Sequence, residues 1–418
     1  MGKNKVSTLL IAIICITPLV FIPFTLYFKQ LGIIIVDFFM LPKLLFVALC
    51  AFIILIMLAY CKDSPEAPKE KLTEYLMGLY LLLVAVSTVL SIDPYLSLVG
   101  AMFYNEGLLT ILLYAFLFMA AKRCYSHADR HSAMMTAFSS LIGLYGMLQF
   151  LGYDLTITEM TGKVYATFRN PNYFGAYLVL MLPVSIFAYL RTSRKIVLPA
   201  VAILYFCLLC TNTRGSWLGF LVSVLVFLYY SIRLKYQTRR LLTVFAVLAM
   251  VTAVYILIVN RQLIERFASI FIEFKNVVTL SENYESGGSK RIFIWKCALQ
   301  IIREHPFFGT GPETFSKVIY SRFSLHFFKA HNEYLNIAQS SGIPALIVYA
   351  AWLADVIRNG IKGIRKNIYI LPYLASVTGY AVQAFFNVSI VAVAYIFWIF
   401  SGILVSTGTD INSKYSNY

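Results

Sequence analysis

The chain has 418 residues, 60% of them apolar and only 13% charged, with a formal net charge of +16. A composition this apolar excludes a soluble globular protein and calls for a polytopic membrane protein. The basic excess is distributed as a marker of membrane topology, not as a nucleic-acid-binding face.

Charge-free stretches run 6–28, 44–61, 75–92, 107–121, 132–153, 170–190, 196–213, 215–232, 241–260, 334–354 and 367–409. A helix needs about 20 mostly apolar residues to cross the hydrocarbon core. The last stretch is long enough for two helices, with a break expected near Asn387 and Ser389. The expectation is an all-α fold of about twelve transmembrane helices without a cleavable signal peptide, because 6–28 runs on into the multi-span pattern. Nine helices fall in 1–259 and three in 333–408, separated by a long loop over 260–332 and followed by a tail, 409–418.

With the N-terminus in the cytoplasm, the inner segments collect twenty Lys and Arg residues. The short outer segments carry only Lys29, Lys43, Lys163, Arg169 and Arg214. That asymmetry places both termini inside, and it places 260–332, which holds the other ten basic residues, outside. The inner segment "KDSPEAPKEK" (62–71) is a short linker rich in Pro and charge.

Within the outer loop, "SENYESGGSK" (281–290) reads as a flexible turn and "RIFIWKCALQIIR" (291–303) as an amphipathic helix. Ile294, Ala298 and Ile301 recur at helical spacing, as do Trp295, Leu299 and Ile302, opposite Lys296, Gln300 and Arg303. Such a helix suits the outer membrane interface, with Trp295 at headgroup depth. "EHPFFGTGPETF" then breaks it. Gly309 and Gly311 resemble a phosphate loop but lack the Lys-Ser/Thr that should follow, so they read as turn residues. Cys207 and Cys210 form a CxxC inside an apolar run with no second pair, which reads as buried small hydrophobes. Cys297 alone is expected outside.

The spans hold almost no ionisable groups, Asp355 near an inner end being the nearest to one. Ion-coupled transporters place acids or bases at mid-membrane. Here the polar groups gather on the outer side instead: Arg169 in "ATFRNPNYFG", Arg214 in "TNTRGSWLG", Arg291, and His331 in "KAHNEYLNIAQSSG". Arginines with one histidine at a membrane face suit an anionic lipid headgroup, because guanidinium offers a fixed charge and a fork of donors matched to phosphate oxygens. No DxD pair or metal-spaced His/Asp cluster accompanies them, so no metal and no cofactor is expected; Asp37 and Asp93 are the outer carboxylates to watch. Simpler roles stand beside these. Arg214 could be a turn, Arg169 a helix cap, and Arg291 with Trp295 an interfacial pair. His305 and His326 read as structural or solvated.

"TNTRGSWLGFLVSVLVF", "KRIFIWKCALQIIREHPFFGTGPETF" and "KAHNEYLNIAQSSGIPALIVY", in this order, resemble the O-antigen ligase and Wzy-type polymerase superfamily of bacterial envelope glycan transferases. The resemblance spans roughly 165–355, and "VDFFMLPK" (36–43) matches only loosely. It implies metal-free, inverting transfer of a glycan from undecaprenyl diphosphate to a glycan, lipid or protein acceptor, outside the cytoplasmic membrane. By position, Arg214 and Arg291 would hold the donor diphosphate with Arg169, and His331 would address the acceptor hydroxyl as a base or contact a phosphate. Asn332, Trp295 and Trp217 would support them. Ligase and polymerase differ only in acceptor, and both fit. The non-enzymatic alternative is a lipid-linked glycan flippase or polysaccharide transporter, which would need polar groups inside the bundle.

Overall fold

The computed structural model describes residues 2–22, 37, 39–60, 71–155, 163–259 and 291–406, and all regular structure among them is helical. The expected turn at 281–290, most of the 62–71 linker and the 409–418 tail lie outside the described residues.

The helices in chain order are α1 (Gly2–Ile16), α2 (Met40–Ala59), α3 (Leu72–Val89), the short α4 (Pro94–Val99), α5 (Leu108–Cys124), α6 (Asp129–Phe150), α7 (Pro171–Thr192), α8 (Val197–Cys210), α9 (Arg214–Arg233) and α10 (Thr238–Val259). After them come α11 (Arg291–Glu304), α12 (Phe315–Phe323), α13 (Glu333–Ile364), α14 (Leu371–Ala384) and α15 (Val391–Val405). A helix lies in every charge-free stretch, and Asn387 and Ser389 fall in the break between α14 and α15 as expected. Among the described residues, 7 helices are long and apolar enough to cross a membrane, and shorter apolar helices accompany them. The chain is a polytopic membrane protein.

α7 is the central helix, its apolar residues buried all round. A helix that is apolar on every side must be covered on every side, and α6, α8, α9 and α14 pack around it. α3 packs on α13, and α5 on α15.

α13 is not continuous. Gly342 has φ +88°, and the helix breaks there just before Pro344. The freed backbone groups of a broken helix must find partners. Here the segment 306–311 supplies them: Thr310 N donates to Gln339 O (3.0 Å), Gly311 N to Ser340 O (2.8 Å), and Ile343 N to Pro306 O (2.8 Å). Backbone meets backbone so closely that a Cβ on Gly342 would lie 2.1 Å from Phe307 O, and one on Gly309 2.3 Å from Ser340 C. The two glycines of "GTG" are turn residues as read, and the turn's purpose is to plug α13.

One reading is refined in the folded chain. The amphipathic helix is present as α11, and protein covers its Ile294–Ala298–Ile301 stripe, while Leu299 of the second stripe is exposed. Ile294, Cys297, Ala298 and Ile301 form a small core with Phe315 and Ile319 of α12 and with Ala330, and Trp295 meets the Phe385 ring at 5.6 Å. Periodicity shows that a face is apolar; it does not say whether lipid or protein covers it. Cys297, expected on the outer side of the membrane, is buried in that core, which leaves its sidedness as an expectation from the sequence. Cys207 and Cys210 are buried as expected.

Asp355 is satisfied locally. It accepts from Thr73 Oγ1 (2.5 Å), Arg358 Nη2 (2.6 Å) and Asn359 Nδ2 (3.2 Å). That is a tie between α3 and α13.

Candidate functional site

The predicted site residues converge at one end of the bundle, around the first turn of α7. Asn170 is the N-cap of α7: its Oδ1 accepts from Asn172 N at 2.9 Å. The capping role is therefore not Arg169's. Arg169 sits one residue earlier with φ +66°, its guanidinium 4.1 Å from the centroid of the Phe103 ring. Asn172 then reaches two ways. Its Oδ1 accepts from Arg291 Nη2 at 3.4 Å, and its carbonyl accepts from Asn387 Nδ2 at 3.3 Å. The Arg291 charge also lies close enough to His331 to act on its imidazole.

Arg214 opens α9 at the same end. A Cβ on Gly175 of α7 would lie 2.3 Å from Ser216 Oγ, and one on Gly215 2.6 Å from the Phe386 side chain, next to Asn387. The start of α9 is thus pressed between the first turn of α7 and the end of α14. Trp217 is buried there, and its Nε1 donates to Leu208 O (3.0 Å), which ties α9 to α8. Its support is structural. So is that of Asn332, the buried N-cap of α13, whose Oδ1 accepts from Leu335 N (3.1 Å). Trp295 contacts the Phe385 ring, beside an open apolar groove formed by Tyr334, Ala381, Val382, Phe385 and Phe386.

Backbone strain concentrates at this end. His331 (φ +51°), Arg169 (+66°), Ala166 (+47°), Asn212 (+52°), Glu313 (+64°), Phe103 (+74°) and Asn105 (+54°) are all left-handed without being glycine. Each such residue costs on the order of 1–3 kcal/mol and persists only where its surroundings over-determine it. His331 is half-buried, and burial together with the Arg291 charge pushes its imidazole down to about 4.

Several residues at this end carry no readable motif. Lys43 is fully buried, and its Nζ donates to Thr167 O (2.8 Å), Val20 O (2.9 Å) and Phe39 O (3.3 Å). It pins the turn that presents Arg169. Gln149 holds the same turn, its Oε1 accepting from Tyr165 N (3.1 Å) and Ala166 N (2.6 Å). Lys329 and Glu313 form an ion pair with side chains only 3% and 2% exposed. Glu106 and Glu333 line the same polar cavity, of about 40 Å³. Glu106 accepts from Tyr114 Oη (2.6 Å), and burial pushes its carboxyl up to about 8. The only available signal was a charge beside an apolar run, which in a membrane protein reads first as a topology marker.

Asp37 and Asp93, the two carboxylates singled out on the expected outer side, have structural partners. Asp37 accepts from Phe39 N (3.0 Å), Met40 N (2.8 Å) and Leu41 N (3.0 Å) at the start of α2. Asp93 caps α4 through Leu96 N (3.0 Å) and pairs with Lys317. His305 and His326 are exposed.

Residues 199–350 match the family model described as O-antigen ligase. This segment is similar to the O-antigen ligase family. It covers just over a third of the chain and contains Arg214, Arg291 and His331, whereas Arg169 lies ahead of it. No curated protein matches the chain. The O-antigen ligase similarity and the apolar helices are consistent with a membrane protein of the cell envelope.

Proposed function

We propose that the chain transfers a glycan from an undecaprenyl diphosphate donor to an acceptor hydroxyl on a lipid, a protein or another glycan repeat, at the outer face of the membrane. The observation that carries this reading is the meeting of Arg291, Asn172 and His331, with Arg214 at the same end, in a chain similar to the O-antigen ligase family. The flippase alternative gains no support from that similarity.

In this reading twelve helices span the membrane. Arg214, Arg291 and Arg169 face the diphosphate, which is a good leaving group and needs fixed cations more than a proton donor as its charge grows. The acceptor oxygen attacks the anomeric carbon opposite the departing diphosphate. The C–O bond forms, the C–O–P linkage breaks at carbon, and the anomeric centre inverts. The acceptor proton passes to the imidazole of His331, which is neutral at pH 7 and so free to take it. The test is transfer by purified protein from a lipid-linked donor, with release of undecaprenyl diphosphate measured alongside glycan product; release of neither defeats the reading.

Two further results are expected. Transfer survives EDTA, because guanidinium groups take the place of Mg²⁺ or Mn²⁺ at the phosphates. Activity lost to EDTA and restored by either ion would contradict this. A cysteine introduced at Ser286 in intact cells reacts with an impermeant maleimide, since 260–332 lies outside. Protection of that cysteine would reverse the topology.

A further inference from the structure

We propose that the buried Lys329–Glu313 ion pair is a positioning device for His331, holding the imidazole in register with Arg291 and the Arg169 turn. The proposal rests on His331 being the group that addresses the acceptor.

The segment Lys329 to Asn332 is fixed differently at each residue. Lys329 points into the polar cavity and pairs with Glu313. Ala330 is fully buried in the small core between α11 and α12. His331 follows with its left-handed backbone, and Asn332 caps α13. The strained residue is therefore held from both sides, as an energetically unfavourable φ requires. Glu313, the partner of Lys329, is itself left-handed, so the ion pair ties one strained turn to another.

The same ammonium reaches a third turn. Lys329 Nζ lies 5.1 Å from the centroid of the Tyr104 ring, and Tyr104 is hydrogen-bonded to Tyr173, the residue after Asn172. Tyr104 is flanked by left-handed Phe103 and Asn105, and Phe103 carries the Arg169 guanidinium on its ring. One buried cation thus connects the turns that present His331 and Arg169.

Stability does not explain such a pair. Taking two charges out of water costs more than apolar side chains of similar size would, and replacing a buried pair with them is often neutral or stabilising. What an ion pair supplies and an apolar pair does not is direction. Within the cavity Glu313 is the charge partner of the cation, and Glu106 and Glu333 add polar oxygens to its lining. Burial alone would lower the Lys329 ammonium, but Glu313 and Glu106 outweigh it and hold it above its usual value.

The test compares wild type with the double variant K329M/E313M and the single variant E313Q. Each folded sample is assayed for lipid-linked donor binding, for transfer, and for the rate at which diethyl pyrocarbonate modifies His331. Both variants are expected to retain most donor binding through Arg214 and Arg291, with only the Arg169 share weakened. Transfer should fall by about tenfold to a hundredfold, the usual cost of misplacing a reacting group by about an ångström, and the modification rate of His331 should rise. E313Q decides if the double variant fails to fold. Wild-type transfer and an unchanged modification rate in a folded variant would overturn the proposal. H331A runs in parallel: if it still transfers, the reading of His331 as the reacting group fails, while the modification rates still decide whether the pair positions it.

Discussion

Replacing His331 with alanine is expected to lower transfer by about 10²–10⁴-fold, the usual scale for loss of a general base, while donor binding survives because the arginines remain. The pH profile makes the assignment sharper. An imidazole in a mild setting titrates near 6.5, but burial and the adjacent Arg291 push His331 down to about 4. A base must be neutral to accept a proton, so activity is present above that value and falls as pH drops through about 4. Between pH 5 and 8 this group should impose almost no slope. A phosphate contact would behave in the opposite sense, because it would need the cationic form and would strengthen as pH falls. Donor binding lost in step with transfer in H331A would favour that second role.

Arg291→Ala and Arg214→Ala are each expected to cost about 2–4 kcal/mol of transition-state stabilisation, read as weaker donor binding together with slower transfer. Lysine should restore only part, since it keeps the charge and loses the fork. The two arginines should differ in one respect. Arg291 is a cause of the depressed His331 titration, and Arg291→Ala removes that cause. Its acid limb should therefore move up, toward the ordinary histidine value. Full transfer by a properly inserted Arg214→Ala protein would take Arg214 out of the site.

Helices were legible wherever composition decides them. Charge-free runs longer than a membrane's thickness can only be buried or lipid-facing, and each holds a helix. The α14–α15 break was legible because Asn387 and Ser389 interrupt an otherwise apolar run. The α13 break at Gly342 was not, although "SSGIP" carries both Gly and Pro, because the apolar pattern continues through it. Arg214, Arg291 and His331 were legible as polar groups gathered on one side in family-like motifs, although Arg214 and Arg291 each also had a simpler reading. Lys43 reads as one of the few basic residues of the short outer segments, and Lys329 as one of ten in the long outer loop. Their work depends on partners far along the chain, Thr167 for one and Tyr104 for the other, and no local spacing encodes those. α11 shows the same limit: the cover over Ile294, Ala298 and Ile301 comes from α12 and Ala330, which no local spacing announces.

The most direct measurement is donor binding and single-turnover transfer on the same detergent-purified samples of wild type, Arg291→Ala and His331→Ala. The account predicts that wild type binds lipid-linked donor and transfers its glycan, that Arg291→Ala loses binding and transfer together, and that His331→Ala binds donor at wild-type strength yet fails to transfer. A His331→Ala protein that transfers at the wild-type rate, or a wild-type protein that binds donor and never transfers it, would contradict the account.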